Sequence, residues 1–387
     1  MRLKNRGSRA LLLAFFFASC FISASLAIPE TSQKQEAGTP LKEVPVPVIH
    51  VKGSHYEVGH QIGTQLKSSL VREVAEMKKR TDWNKLRAEA ELFLQYSKNY
   101  VPEYVTEVKG AADAAGLELE DLFPTMCEEI GDDSYRFTRG CTDLIASNDV
   151  TEDGSVIAAH NNDASLSSPD YVTIIHYQVE GEPEIVAVTD TGGLNISVGY
   201  NSAGISLTGN QVNSNDMRVG VPRLLLVRKI LAARTLGDAI DAALLKERAS
   251  NYNQIITDAS GEIYSIEGSA TDYAPLYATD GYLVHTNHYL APWMRKFEFD
   301  PNGITSSIVR YNRGTRLLKK NLGRITVDKM KELLSDHVNY PDSICRHGKE
   351  NKTDFSVIIN LTTQTMLLAR GNPCEVKYKE YNFFAKK

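Results

Sequence analysis

The feature that most constrains the fold of this chain is a change of hydrophobic periodicity at Gly140–Cys141. Before it, apolar residues recur every third or fourth position, which predicts amphipathic helices. After it, short apolar runs alternate with turn-forming clusters of Gly, Asn and Asp, which predicts strands. The chain therefore divides into a helical part, residues 45–140, and a strand-rich part, residues 141–387.

The predicted elements alternate in blocks rather than singly. Helices are predicted at 54–77, 84–100, 102–116 and 119–123, and again at 223–233, 238–248, 306–321 and 326–337. Strands are predicted at 46–51, 144–146, 156–160, 171–179, 185–189, 196–200, 205–210, 254–258, 262–267, 282–287, 355–360, 364–369 and 376–381. Blocks of this kind predict an α+β fold in which two antiparallel sheets stack and helices cover them outside.

The N-terminus has the pattern of an export signal. Basic residues precede an apolar run that ends in small residues, which predicts a signal peptide over residues 1–27. The run is shorter than the roughly 20 apolar residues that span a bilayer, which argues against a membrane anchor. A lipoprotein cut before Cys20 is a second reading. Residues 28–44 read as a flexible leader, and the mature protein is expected in the periplasm, an endomembrane lumen or outside the cell.

Composition limits the partners and the cysteine chemistry. The 43 basic and 48 acidic residues are mixed along the chain, so neither nucleic acid nor a membrane surface is an expected partner. Signal removal leaves Cys127, Cys141, Cys345 and Cys374. A Cys345–Cys374 disulfide is one pairing open to the chain in an oxidising compartment. We expect no cofactor and no metal, since His285 and His288 fall on opposite faces of a predicted strand.

Gly140–Cys141 is also a candidate reactive site. Cleavage of this bond would leave a thiol and a free α-amine on Cys141, which is a nucleophile and a base in one residue. An α-amine titrates at about 7.7 to 8, so it can take up the thiol proton near neutral pH. The alternative is an ordinary half-buried Cys at the start of a strand.

Motifs spread over residues 45–370 carry a family resemblance. They are Gly53, Glu57, Gly59 and Gly63; Arg-Gly-Cys-Thr at 139–142; Asp163 in His-Asn-Asn-Asp; Asn210 after a strand turn; Asn287 in His-Thr-Asn-His; and Ser-x-x-Arg at 307–310. In order and spacing they resemble the N-terminal nucleophile (Ntn) hydrolases of the penicillin acyltransferase type, peptidase family C45. That group is similar to the choloylglycine hydrolases and acid ceramidase. The resemblance implies a four-layer αββα sandwich and autoproteolysis between Gly140 and Cys141.

The resemblance also implies roles for single residues. Asp163 corresponds to an acidic residue that orients the α-amine of Cys141, and Asn210 and Asn287 to donors that stabilise an oxyanion. The structural alternatives are a turn Asp and two turn-forming Asn residues. Relatives of the choloylglycine type carry an Arg where this chain has His160. The His160 imidazole is expected either to hydrogen-bond the Cys141 sulfur or simply to pack. Its charge at neutral pH is not fixed as that of Arg is, so the role of the Arg does not transfer directly.

Arg310 has three readings. Its side chain is expected to bind a substrate carboxylate, to hold the active-site loop in place, or to lie on the surface of a helix without a role in the site.

These observations predict a self-processing amidohydrolase or acyltransferase that acts on a small N-acyl amide. The fragments 45–140 and 141–387 are expected to remain associated as a heterodimer. Two rivals stay open. A papain-like hydrolase would pair Cys141 with His285 and Asn287, and a secreted binding protein would keep the fold without activity.

Overall fold

The computed structural model describes residues 41–80, 82–130, 140–166, 168, 171–190, 192–348 and 350–384. The predicted signal peptide, most of the predicted leader and Arg139 lie outside these residues. Within the described ranges, none of the helices combines the length and the apolarity needed to cross a bilayer.

The described helices fall into three groups along the chain. The first group, before the strand-rich part, is α1 His55–Gln65, α2 Lys67–Arg80, α3 Trp83–Tyr100, α4 Pro102–Ala115 and the single turn α5 Leu119–Leu122. The second is α6 Arg223–Leu231 and α7 Leu236–Ala243, and the third is α8 Thr305–Asn321 and α9 Val327–Leu334. All three groups lie close to where the sequence predicts helices.

The strands form two sheets. The eight-stranded sheet has the order β1 Val48–Gly53, β4 Thr173–Val179, β5 Ile185–Thr189, β6 Ile196–Asn201, β7 Ile205–Asn210, β8 Asn253–Asp258, β9 Ile263–Gly268 and β10 Tyr273–Tyr277. The six-stranded sheet has the order β11 Tyr282–His285, β2 Gly140–Ala146, β3 Ile157–Ser165, β12 Asn351–Asn360, β13 Thr365–Arg370 and β14 Lys379–Tyr381.

Three apolar clusters show how these elements stack. One lies between the sheets and takes Ile145 and Val357 from the small sheet and Val188 from the large one. A second joins α1–α7 to the outer face of the large sheet, and the third joins α8 and α9 to the outer face of the small sheet. The layers are therefore helix, sheet, sheet and helix, which confirms the predicted α+β architecture.

One strand pair departs from the predicted all-antiparallel pattern. β1 is an edge strand, as Pro45 and Pro47 before it indicate, but it pairs with β4 in parallel. Proline has no backbone N–H to donate to a strand ladder, so these two residues prevent β1 from extending toward the N-terminus. The helical part of the chain thus supplies one edge of the large sheet.

Glycines explain the close packing of α1 on α4. A Cβ on Gly59 would lie 1.8 Å from the Glu107 carbonyl oxygen, and one on Gly63 would lie 2.3 Å from that of Ala111. Neither position has room for a side chain. The N-terminal glycine motif therefore has a packing role in this fold.

Candidate active site

Strands β2 and β3 place the candidate nucleophile between the two sheets. Cys141 is the second residue of β2 and lies opposite Asn162 of β3. Side chains alternate along a strand, so Cys141 and Asp143 share the face of Ile145, which packs between the sheets. The Cys141 Sγ lies 3.8 Å from Asn162 Oδ1, and the residue is 6% exposed.

The backbone of Cys141 is held by two predicted site residues. Its N–H donates to Asn287 Oδ1 at 2.8 Å, and its carbonyl oxygen accepts from Arg310. Arg310 also donates to Asn287 Oδ1 at 2.8 Å and to Thr142 Oγ1 at 3.0 Å. Two donors thus meet at Asn287 Oδ1, which fixes the orientation of its amide. The remaining Asn287 donor, Nδ2, reaches the Gln211 carbonyl at 3.0 Å.

Helix α8 supplies this bracket. Ser307 and Arg310 are three residues apart and lie on one helix face. The Ser307 Oγ accepts from the Asn287 N–H at 2.7 Å. The Ser-x-x-Arg motif therefore positions Asn287, and Arg310 is buried rather than on the surface.

Asp163 lies beside the Gly140–Cys141 bond on the opposite face of the strands. It pairs across the ladder with Gly140, and a Cβ on Gly140 would lie 3.1 Å from Asp163 Oδ2. Asp163 Oδ1 accepts from Thr353 Oγ1 at 2.9 Å, whereas the buried Oδ2 has no hydrogen-bond partner among the described residues. Burial raises the pKa of Asp163 to about 6, against the opposing effect of the Arg346 and Arg310 guanidinium groups.

His160 brings a positive charge to the nucleophile. Its Nδ1 lies 3.0 Å from Asp143 Oδ1, and both side chains are fully buried on the face that carries Cys141. Burial by itself lowers the pKa of His160, but the Asp143 carboxylate and the Cys141 side chain outweigh it and raise that pKa to about 10. The imidazole is therefore protonated at neutral pH, as an arginine in this place would be.

Asn210 belongs to a buried chain of hydrogen bonds that leads to His160. Its Nδ2 donates to Asp143 Oδ2 at 2.7 Å, and its Oδ1 accepts from His285 Nδ1 at 2.8 Å. The other ring nitrogen of His285 lies 2.8 Å from Glu267 Oε1. Asn210 therefore orients Asp143 and lies on the same sheet interface as the nucleophile.

The papain-like arrangement is not formed. His285 contacts Asn210 and Glu267, and Cys141 lies within a strand rather than at the start of a long helix. His288 bonds to Ser307 Oγ at 2.7 Å, so His285 and His288 have separate partners.

A polar pocket opens in front of the Cys141 thiol. Its lining includes Asn162, Asn210 and Asp190. Glu128 and Arg223 line it as well and form an ion pair, in which the Arg223 Nε to Glu128 Oε2 distance is 2.7 Å. The wall therefore carries more polar and charged side chains than aliphatic ones.

The structure brings together most of the predicted site residues and adds others. Cys141, Asp163, Asn287 and Arg310 surround the Gly140–Cys141 bond, and His160 and Asn210 meet through Asp143. Sequence reasoning did not identify Asp143, Asn162 or Arg346. Asp143 had a signal, because a residue two positions from a nucleophile on a strand shares its face. The other two depend on strand pairing and on a distant loop.

Several known proteins that are similar to this chain are described as acyltransferases or hydrolases. Residues 150–373 match the family model for acyl-coenzyme A:6-aminopenicillanic acid acyl-transferase, a match that begins after Cys141. The 40 kDa form of acyl-coenzyme A:6-aminopenicillanic-acid-acyltransferase of Emericella nidulans is 26% identical over 327 residues, covering 81% of this chain and 89% of that protein.

Two further similarities are more distant. The β-alanyl-dopamine/carcinine hydrolase of Drosophila melanogaster is 23% identical over 254 residues, covering 57% of this chain and 64% of that protein. A solved Caenorhabditis elegans ortholog of N-acylethanolamine-hydrolyzing acid amidase has a TM-score of 0.39 at 18% identity, covering 57% of this chain and 93% of that one.

Proposed function

This chain belongs to the acyl-coenzyme A:6-aminopenicillanic acid acyl-transferase family, and from that premise we propose a self-processing enzyme whose nucleophile is Cys141. The family makes the chain an acyltransferase or amidohydrolase of the Ntn type. Self-cleavage, the residues that carry it and the substrate are our proposal. The observation that carries it is the geometry of Cys141, whose nitrogen is held by Asn287 while its sulfur faces a polar pocket.

Processing begins with the Cys141 thiol. The sulfur attacks the Gly140 carbonyl carbon, the Gly140–Cys141 C–N bond breaks, and the thiol proton passes to the departing nitrogen. Water then hydrolyses the thioester, which releases the Gly140 carboxyl group and restores the thiol. The protonated His160 beside the sulfur stabilises the negative charge that develops there.

Turnover uses the same sulfur and the new α-amine. The thiolate attacks the carbonyl of an acyl amide, and the α-amine carries the proton to the leaving amine. Water hydrolyses the resulting thioester. If a second amine attacks the thioester in place of water, the result is acyl transfer. We favour water because we also propose that the protein is exported, and acyl-coenzyme A is scarce outside the cytoplasm.

Two predicted residues acquire specific tasks in this scheme. Asn287 Oδ1 accepts from the nitrogen of residue 141 and is suited to hold the α-amine after cleavage. Asn210 and Asn287 remain the candidate oxyanion donors. Their amide groups now donate to Asp143 and to the Gln211 carbonyl, so oxyanion binding requires an exchange of these partners.

Contacts across the cleavage point support a stable heterodimer of the two fragments. β1 from the helical part is hydrogen-bonded to β4 beyond Cys141. Arg228 of α6 donates to Glu107 of α4 at 3.0 Å, with both side chains buried. The ion pair of Glu128 and Arg223 adds a pocket wall to which both fragments contribute.

The pocket supports a small polar acyl group. Its described aliphatic side chains are Ile196 and Leu224, whereas Glu128, Asp190 and Arg223 bring charge. A long hydrocarbon chain would remove water from these charged groups without offering them hydrogen bonds, which costs free energy. Aminoacyl amides and short N-acyl amides are therefore the substrate class that we propose.

A panel of N-acyl amides tests the reaction. Purified protein is assayed against aminoacyl, acetyl and palmitoyl amides of one chromogenic amine. We expect hydrolysis of the small polar amides, no hydrolysis by Cys141→Ala, and full activity in Cys127→Ser, which changes a buried cysteine outside the pocket. Activity that survives in Cys141→Ala contradicts the assignment of the nucleophile.

An inactive binding protein with this fold is the remaining alternative. A thiol-directed acyl probe separates it from an enzyme, since only an activated Cys141 forms an acyl adduct that water then removes. A stable protein that shows neither adduct formation nor turnover would favour the binding protein.

A further inference from the structure

Four side chains with metal-ligating atoms come together in the loops next to strands β12 and β13 of the small sheet. His337, Cys345, His347 and Cys374, which we call the zinc quartet, place their ligand atoms within 4.8 Å of one another. Three of them come from the loop between α9 and β12, and Cys374 follows β13. None of them lines the pocket in front of Cys141.

The spacing of three of these atoms is close to that of a tetrahedral metal shell, and the fourth atom, from His337, lies within 4.8 Å of them. The two sulfurs of Cys345 and Cys374 lie 3.6 Å apart, and His347 Nε2 lies 3.4 Å and 3.1 Å from them. Zinc bonds of about 2.3 Å to sulfur and 2.0 to 2.1 Å to nitrogen give tetrahedral edges of about 3.8 Å between sulfurs and 3.5 Å between sulfur and nitrogen. We propose that the zinc quartet binds one Zn²⁺ as a structural Cys₂His₂ site.

The surroundings of the zinc quartet fit this assignment. The Glu375 carboxylate lies 3.6 Å from His347 Nδ1, so it can orient the ring with Nε2 toward the sulfurs. The Asn372 Nδ2 lies 3.5 Å from the Cys345 sulfur, where it can donate to a thiolate. The His337 side chain hydrogen-bonds to Cys374, so one of its ring nitrogens lies beside the second sulfur.

Two thiols and two imidazoles favour zinc over other common ions. Sulfur and imidazole nitrogen are ligands that Zn²⁺ accepts in tetrahedral geometry, whereas Mg²⁺ and Ca²⁺ require oxygen. Four protein ligands leave no open position for substrate or water, so the site is structural.

A disulfide is the competing use of the two cysteines. A disulfide bond holds its sulfurs about 2.05 Å apart and makes no use of neighbouring imidazoles. The 3.6 Å separation of the Cys345 and Cys374 sulfurs, with His347 Nε2 close to both, instead resembles two ligands of one ion.

Zinc would also fix a residue near the cleavage point. Arg346 stands between the two ligands Cys345 and His347, and its Nη1 lies 3.1 Å from where a Cβ on Gly140 would be. Its backbone is tied to Thr353, which donates to Asp163. The relevance to self-cleavage rests on the proposed function, whereas the metal site does not.

Metal analysis of the full chain tests the site directly. Protein purified without chelator or reductant is analysed by inductively coupled plasma mass spectrometry, in the wild type and in Cys141→Ala, which cannot process itself on our proposal. We expect close to one zinc ion per chain in both, whether or not the proposed function is correct. Replacement of zinc by Co²⁺ should give tetrahedral d–d bands and a thiolate-to-cobalt charge-transfer band.

Variants assign the ligands. Cys374→Ser and His347→Asn should lose most of the zinc and lower the melting temperature, while Cys127→Ser should retain the zinc. Glu375→Gln keeps all four ligands and should weaken zinc binding about 10- to 100-fold in competition with a chelator, because it removes the orienting carboxylate. This variant remains informative if the ligand variants fail to fold.

Three outcomes would overturn the site. They are folded wild-type protein that neither contains zinc nor takes up Co²⁺, a Cys345–Cys374 disulfide found by thiol counting and peptide mass, or zinc that persists at full stoichiometry in Cys374→Ser.

Discussion

At the scale of single residues, the site separates charge onto the two faces of β2 and β3. Between the sheets, the His160–Asp143 pair keeps a protonated imidazole near the Cys141 sulfur. On the helix side, Asp163 lies beside Gly140 with one oxygen lacking a described partner. On our proposal, one face activates the Cys141 sulfur, and the other can hold the α-ammonium group that cleavage would create.

The charge on His160 predicts a pH dependence. Because the pKa of His160 is raised from 6.5 to about 10, its positive charge in the folded protein is retained through neutral pH and is lost only as the pH rises through about 10. His160→Gln removes the charge at every pH, and we expect kcat/KM at pH 8 to fall about 100-fold, the order of one lost electrostatic donor. His50→Gln, an exposed site on β1, is the control. An unchanged pH profile in His160→Gln would contradict the role.

The raised pKa of Asp163 predicts that ionisation of this carboxyl group lowers the free energy of unfolding, whereas ionisation of a carboxylate in an ion pair raises it. Its pKa is raised from 3.8 to about 6, so ionisation destabilises the unprocessed fold progressively between about pH 4 and 6, and the full penalty remains above that range. The penalty is about 3 kcal/mol at neutral pH. In a Cys141→Ala background, Asp163→Asn should increase the free energy of unfolding at pH 7 and change it little near pH 4. Urea titrations at both pH values measure this, and a difference that is the same at both would count against it.

Single residues were predictable where a motif marks them and not where a contact does. Cys141 was marked by its own chemistry and Asp163, Asn287 and Arg310 by motifs that resemble those of a known family, and the structure brings all four to one bond. Arg346 carries no local pattern, because only the fold of the loop before β12 brings it to Gly140. The zinc quartet was not predicted for the same reason, because its four residues are spread over positions 337–374 without a paired-cysteine motif.

At the scale of elements, glycines set the distance between α1 and α4. A Cβ on Gly59 would collide with the Glu107 carbonyl at 1.8 Å, so the helices would have to separate. We expect Gly59→Ala to lower the melting temperature strongly, as overpacking typically costs 1 to 3 kcal/mol or more. Gly237→Ala in α7 is the matched control, because its nearest atom lies 3.9 Å away and alanine favours the helix. Equal melting temperatures for Gly59→Ala and wild type would contradict the packing argument.

Most elements were predictable because their apolar periodicity matches their burial. The exceptions have physical causes. The predicted helix 54–77 is two helices, because the backbone departs from helical geometry at Leu66, which no Gly or Pro marks. β10 was missed because it contains Pro275 and exposed tyrosines, as an edge strand does. The predicted helix 238–248 ends at Ala243, since the following residues turn back toward Val221.

At the scale of the whole molecule, the layered order of the sheets and helices followed from the sequence, but the coupling across Cys141 did not. Arg228 of α6 is buried against Glu107 of α4 and Glu182. Burial by itself raises the pKa of Glu107, but the charge of Arg228 outweighs it and lowers that pKa. This ion pair links the two proposed fragments through the protein interior.

Loss of that link should weaken the whole assembly. Arg228→Met leaves Glu107 buried without its cation, which we expect to cost about 3 to 5 kcal/mol. The expected result is a lower unfolding midpoint and, after processing, dissociation of the fragments during size-exclusion chromatography in mild denaturant. Arg234→Met, at an exposed arginine just after α6, is the control. Fragments that stay together equally well in both variants would argue against the link.

The most direct test of the account is the intact mass of the purified protein under denaturing conditions, combined with N-terminal sequencing. We predict that the wild type gives two chains, the larger of which begins at Cys141, and that Cys141→Ala gives one uncut chain. A wild-type protein that remains a single fully active chain, or a Cys141→Ala protein that is still cut between residues 140 and 141, would contradict the central claim.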